Sequence, residues 1–317
     1  MHYRLCGIRA ALVLFFSSTP LLAQTAPAAA PSPREQYRVY APKGEVKGAL
    51  VLLPGYGGDR DSFDPASMVT PSTLPARLAK HGILTLIAVP VRETQFESEA
   101  VLRTLDSMLT SVVRQYGIPR ARVAIGGFSA GGTGAVRYAQ FCAQRKCRAV
   151  PQLAAVFAVD PPLDFERLYR TSEVIVKRNA PRSNIEEESR LLQTMQHAFG
   201  GPPDEAREAY RLHSAVLASA PDGGNARLLR HTPIRLYTEP DVHWWMEERN
   251  LDYHGMNSVD HAALINLLRV AGNTGAELIT TSGKGLRPDG RRHPHSWSIV
   301  DEPELVRWLL VALLPAA

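Results

Sequence analysis

Gly127-Phe128-Ser129-Ala130-Gly131 follows an apolar run at 122–126 and precedes a helix-compatible stretch at 132–143. A strand that runs through G-x-S-x-G into a helix holds its serine on a sharp, strained turn. Small residues two before and two after it let the chain pass close to itself. The turn lifts the hydroxyl above the sheet, and the helix aims its first amides at charge developing there. The chemistry such a serine does is nucleophilic attack. The five residues alone are a weak signal, and the flanking strand and helix make it specific.

A second run, 49–54, reads as a buried strand ending in Pro54-Gly55-Tyr56-Gly57-Gly58. A Gly-rich turn there can bring a backbone N–H to the far side of a substrate carbonyl. Tyr56 and Ala130 are the two expected amide donors of an oxyanion hole. Alone, the turn is equally a tight loop that needs positive φ.

With these parts the chain resembles the α/β-hydrolase superfamily. The matching features are the 54–58 turn, the 127–131 elbow, a late acid loop and a late His-x-Trp, and the resemblance covers most of residues 37–314. It implies the fold and a Ser–acid–His triad in that chain order. It does not imply a substrate, because the fold hosts esterases, lipases, peptidases and lactonases.

An isolated serine needs a base within reach and an acid to orient that base. The resemblance places the base between the last strand and the last helix, in the loop 282–300, which holds His293-Pro294-His295-Ser296-Trp297. His295 is the expected base, since Trp297 supplies the His-x-Trp spacing; His293 is the alternative. The acid is expected after the strand 234–238, where the chain reads Glu239-Pro240-Asp241-Val242-His243-Trp244-Trp245. Asp241 is the first choice, Glu239 the second, and Asp260, equally a helix-capping residue, the third. Trp244 and Trp245 are candidate walls of the substrate pocket, or core aromatics.

The elements that must position these groups are legible. Strands are expected at 37–41, 49–53, 83–89, 123–125, 153–159, 234–238 and 277–281, and helices at 74–81, 98–116, 131–143, 258–271 and 304–314. This alternation predicts an α/β fold with a mostly parallel sheet covered on both faces. Asp301 is a good N-cap for the last helix. Residues 166–231 break the alternation, with helix-like segments at 184–199 and 204–218. A structureless run that long would be unusual in a compact domain, so a helical cap insertion over the site is expected. Leu168, Tyr169, Leu192, Met195 and Phe199 are its candidate pocket-facing residues.

The first 23 residues read as a secretory leader, with Arg4 and Arg9 ahead of an apolar core and cleavage after Ala23. The core is too short and interrupted to span a bilayer well, and no other segment is long and apolar enough. An Ala/Pro linker follows at 24–36, and then one hydrolase domain at 37–317. The expected location is therefore periplasmic or secreted. There Cys142 and Cys147 are expected to form a local disulfide. The formal charge of +5 is mild and no Lys/Arg run suggests nucleic acid. Asp241, His243, Asp252, His254, Asp260 and His261 invite a metal reading, but their spacing matches no ligand motif. The chemistry calls for no cofactor and for a small-molecule ester as substrate. A single-domain serine peptidase is the enzymatic alternative, and a binding protein on a hydrolase scaffold the non-enzymatic one.

Overall fold

The computed structural model describes residues 36–68, 70–90, 98–178 and 182–315. The leader at 1–23 and all but the last residue of the Ala/Pro linker lie outside the described residues. Strands β1 (Tyr37–Tyr40), β2 (Gly48–Leu53), β3 (Ile83–Ala88), β4 (Val123–Phe128), β5 (Ala155–Val159), β6 (Ile234–Thr238) and β7 (Ala276–Thr280) form one sheet in the order β1-β3-β2-β4-β5-β6-β7. Only β1 runs antiparallel, against β3. The strand order reverses direction at β2 and β4, the crevice where open α/β sheets hold their ligands.

Helices α1 (Leu74–Ala79), α2 (Glu99–Tyr116), α3 (Ala130–Ala143), α8 (Ser258–Val270) and α9 (Glu302–Leu313) cover the sheet. Strands β2 to β5 are buried at every position, which is why they read as continuous apolar runs rather than alternating ones. Their side chains still alternate by face. Val51, Leu53, Ile125 and Val156 pack with Leu105 and Val112 of α2, Tyr138 of α3 and Leu264 of α8. Leu50, Leu52, Ala124 and Phe157 pack with Leu74 and Leu78 of α1 and Leu305 and Leu309 of α9. Asp301 caps α9 by accepting from Glu304 N–H at 3.0 Å. Cys142, near the end of α3, is joined to Cys147 by a disulfide.

The segment between β5 and β6 is mainly helical, as expected, but its helices differ. They are α4 (Phe165–Lys177), α5 (Arg182–Phe199) and α6 (Arg207–His213), followed by a 3-10 turn at Ala226–Leu229. Helix α4 was not foreseen, although Asp164 caps it by accepting from Arg167 N–H and Phe165, Tyr169, Ser172 and Ile175 share its buried face. The last helix stops at His213 because Ser214 turns extended and the Ala215 amide bonds to Leu163 C=O instead. The loop read after β6 also contains a short helix, α7 (Val242–Arg249).

Candidate active site

Ser129 sits between β4 and α3 with φ 53° and ψ −126°, a strained conformation costing about 1–3 kcal/mol that the surroundings must impose. They do so through both sides of the residue. Its N–H donates to Val159 C=O at 2.9 Å and its C=O accepts from Thr133 N–H at 3.1 Å. The glycines of the elbow are obligatory. A β-carbon on Gly127 would collide with the carbonyl of Gly131, and one on Gly131 with the carbonyls of Leu53 and Pro54. The Gly-rich turn after β2 lies against this elbow: a β-carbon on Gly55 would stand 3.4 Å from that of Ser129. Gly58 N–H closes that turn onto Gly55 C=O, with Gly57 at φ 75°. The Tyr56 side chain is 67% exposed, so Tyr56 can serve the site through its backbone while its ring stands in solvent. Ala130 is the first residue of α3, where a helix leaves its amides without intrahelical acceptors.

His295 Nε2 lies 3.0 Å from Ser129 Oγ. On the other side of the ring, His295 Nδ1 lies 2.7 Å from Asp160 Oδ2. The expected partner Asp241 does not make this contact, and neither do Glu239 and Asp260. Asp160 immediately follows β5, with φ 47° and its N–H on Tyr237 C=O. That left-handed residue ends the strand and turns the chain into Pro161-Pro162. Thr238 Oγ1 donates to its second oxygen at 2.9 Å, and Asn257 Nδ2 donates to its carbonyl at 3.0 Å. Burial pushes the Asp160 carboxyl up, but the hydrogen bond and charge of His295, with His261 and Thr238, outweigh it. The net result is a carboxyl held below the ordinary range. This keeps it ionised and able to hold an imidazolium.

Each rejected acid is occupied elsewhere. Asp241 caps α7, accepting from Trp244 N–H at 3.2 Å, and binds Arg292 Nη2 at 2.6 Å. Glu239 is buried, pairs with Arg292, and accepts from Thr281 Oγ1 and the amides of Lys284 and Gly285. Asp260 is buried against Arg167, accepting at 2.7 Å from its Nε, and also accepts from the amides of Leu163 and Asp164. The sequence did carry a signal for Asp160. It is an acid at the carboxyl end of the strand beside the nucleophile strand, where such sheets bind ligands. The contacting residues Ser129, Asp160 and His295 come in the order serine, acid, histidine, with the acid one strand earlier than the expected one.

The loop carrying His295 is clamped on both sides. Arg292 ties it to Glu239 and Asp241 and donates to Gly285 C=O at 2.7 Å. Trp297 is buried edge-on to Phe63 at 4.8 Å and donates to Glu302 at 2.9 Å. Phe128 lies under the His295 ring at 4.9 Å. It is His295, not His293, that meets Ser129; the His293 ring lies 6.3 Å from His295 and 4.6 Å from Trp244. Burial, with Arg287, His295 and Arg249 adding, lowers its pKa to about 3, so it stays a neutral imidazole. Trp244 and Trp245 are half-buried and pack against each other and His293.

The expected pocket-facing residues of the insertion behave otherwise. Tyr169, Met195 and Phe199 are buried with Phe165 and Tyr210 in a small core of their own, with Leu168 and Leu192 against it. They hold the insertion together. Contact with the site-bearing loops comes instead from the ends of α4 and α5. Arg178 reaches Asn250 C=O and Asp252, Asn184 reaches Glu248 C=O, and Arg249 pairs with Glu187 at 2.8 Å. Among the described residues, no group of three or more His, Cys, Asp or Glu could hold a metal ion, and no helix is long and apolar enough to cross a membrane.

A family described as "alpha/beta hydrolase of unknown function (DUF915)" matches residues 71–201, a stretch containing Ser129 and Asp160. No curated protein matches the chain. Among solved structures, fungal esterases from Rhizomucor miehei align at 15% identity over 87% of this chain and 79% of theirs, with TM-score 0.56. An esterase of the bacterial hormone-sensitive lipase family aligns at 18% identity over 87% and 80%, TM-score 0.53. Esterase B from Lactobacillus Rhamnosis aligns at 14% identity over 86% and 78%, TM-score 0.51. At these identities the likeness is one of fold.

Proposed function

We propose that this α/β hydrolase is an exported serine hydrolase that cleaves carboxylic esters through an acyl-enzyme. The observation that carries this reading is the unbroken chain Ser129 Oγ–His295 Nε2, His295 Nδ1–Asp160 Oδ2, at 3.0 and 2.7 Å. Ser129 attacks the ester carbonyl as His295 Nε2 takes its proton. Asp160 fixes the ring so that Nε2 faces the serine, and it stabilises the imidazolium that forms. The amides of Ala130 and Tyr56 receive the negative oxygen, each worth about 3 kcal/mol in the transition state. His295 then hands the proton to the leaving alcohol. Water enters by the reverse route and releases the acid, regenerating Ser129. Trp244 and Trp245, with His293, form one wall beside the base. The structural neighbours are esterases, which agrees with this substrate class, and the leader at 1–23 supports export.

A fluorophosphonate probe tests the nucleophile, since it labels only an activated serine. Wild type should be labelled at Ser129, and Ser129→Ala should be unlabelled, folded, and slower on a short-chain p-nitrophenyl ester by at least about a thousandfold. Labelling that survives in Ser129→Ala sinks the assignment. Peptide anilides run beside the esters separate an esterase from a peptidase with the same triad. Export is checked by N-terminal sequencing of the processed protein, expected to begin at Gln24.

A further inference from the structure

Four arginines stand on or beside the loop that carries His295. Arg291 is paired with Asp289 at 2.6 Å, Arg292 with Glu239 and Asp241, and Arg249 with Glu187. Arg287 is different. Among the described residues no carboxylate lies within ion-pair distance of its guanidinium. Its recorded side-chain partner is the neutral ring of His293, where Arg287 Nη2 donates to Nε2 at 3.2 Å.

The chain holds Arg287 firmly in that place. It opens the tight turn Arg287-Pro288-Asp289-Gly290, in which Gly290 N–H donates to Arg287 C=O at 2.9 Å with Gly290 at φ 82°. Arg287 N–H donates to Arg291 C=O at 2.8 Å, and a bridge joins Leu286 to Arg292. Arg287 is half-buried. Burial, with Arg249 adding its like charge, pulls its pKa below the ordinary arginine value, and Asp289 only partly opposes this. A half-buried cation beside a second cation, with Asp289 near but no carboxylate at ion-pair distance among the described residues, is costly unless something anionic completes it. His293 is in contact with Arg287 on one side and lies 6.3 Å, ring to ring, from His295 on another. An anion on Arg287 is therefore one imidazole away from the base.

We infer that Arg287 is a subsite for an anionic group of the substrate, so that the enzyme prefers esters carrying a carboxylate away from the scissile bond. The guanidinium offers a planar fork that matches a carboxylate with two parallel N–H bonds. His293 spaces that carboxylate from His295, and Trp244 and Trp245 wall the intervening carbon chain. This inference rests on the proposed ester-hydrolase reading and adds the substrate's charge to it.

The test compares matched esters. On the acyl side these are p-nitrophenyl valerate and mono-p-nitrophenyl glutarate. On the alcohol side they are phenyl butyrate and 4-carboxyphenyl butyrate, followed by acid release. In one of the two pairs, wild type should favour the charged ester. Arg287→Gln should lower the charged-to-neutral ratio of kcat/KM at least about tenfold, mainly through KM, and Arg287→Lys should recover part of it. The result that overturns the inference is a ratio unaltered by Arg287→Gln in both pairs. Calorimetric titration of free glutarate into Ser129→Ala protein keeps the inference testable apart from catalysis. Binding that disappears in Ser129→Ala/Arg287→Gln supports it even if no ester is turned over and Ser129 resists the fluorophosphonate. Glutarate binding that is absent, or indifferent to Arg287, overturns it even if Ser129 is a proven nucleophile.

Discussion

Two neighbouring strands, β5 and β6, each end in an acid-bearing turn, and the two turns do different work. The turn after β5 offers Asp160, buried, in no ion pair with Lys or Arg among the described residues, accepting from Thr238 and facing His295. The turn after β6 offers Glu239 and Asp241, and Arg292 engages both. The difference shows that an acid comes to face the imidazole by what it is left free to do. Both turns lie at the carboxyl ends of parallel strands, within reach of the loop that follows β7. The β6 acids grip that loop's backbone and its arginine, whereas the β5 acid meets its imidazole. One turn thus fixes the loop and the other uses it.

The largest expected contrast between the turns is in turnover. Asp160→Asn should lower kcat by about 10³- to 10⁴-fold with the fold intact, because an amide can hold the wrong tautomer of His295. Asp241→Asn should lower it less than about tenfold, since asparagine still caps α7 and Arg292 keeps Glu239, with a stability loss under about 1 kcal/mol. Steady-state kinetics on one ester decides this pair, and a severe Asp241→Asn beside a mild Asp160→Asn would reverse the comparison. Thr238 links the turns, for it belongs to β6 and donates to the β5 acid. Thr238→Val should reduce kcat about tenfold while leaving KM near wild type, as expected for a positioning residue.

A third expectation sharpens the β5 turn further, because its two acids have opposite pH signatures. Asp160 has a depressed pKa, so its contribution to stability is present at neutral pH and is lost as pH falls. Asp164, four residues on, is pushed up from the ordinary 3.8 to about 6, by burial first and then by the charge of Asp260. Its protonated form favours the fold, so its contribution is full below about pH 4 and is lost as pH rises through 6. Asp164→Asn keeps a capping oxygen without the charge. It should gain on wild type in thermal melts between pH 4 and 6, by up to about 3 kcal/mol. Equal slopes for the two proteins would remove Asp164 from the account. The smallest effect belongs far from both turns. Reducing the short loop closed by Cys142 and Cys147 should cost about 2 kcal/mol and leave kcat unaltered, as melts and assays with and without reductant would show.

The sequence was most legible where local geometry leaves one solution. The elbow at Ser129 needs small residues at Gly127 and Gly131 because the carbonyls of Leu53, Pro54 and Gly131 stand where a β-carbon would go. That requirement is written in the chain. Strand positions were legible because buried parallel strands must be apolar throughout, and all seven expected strands match described ones to within a few residues. His295 was legible because its loop has a fixed place between the last strand and the last helix. Asp160 was harder to see. Asp160, Asp164, Glu239, Asp241 and Asp260 all follow strands or open helices in suitable chain order, and nothing local distinguishes them. The same holds for the insertion, where Tyr169, Met195 and Phe199 were apolar at helical spacing and so suited a pocket or a core equally well.

By itself, then, the sequence determined the elements, their layering and the serine elbow, since periodicity, backbone strain and turn chemistry act over a few residues. Tertiary structure alone decided which acid meets the His295 imidazole. That choice depends on distances between residues more than a hundred apart in the chain and on where the cations fall. Arg292 lands on Glu239 and Asp241, Arg167 on Asp260, and His295 on Asp160, with which no arginine among the described residues forms an ion pair.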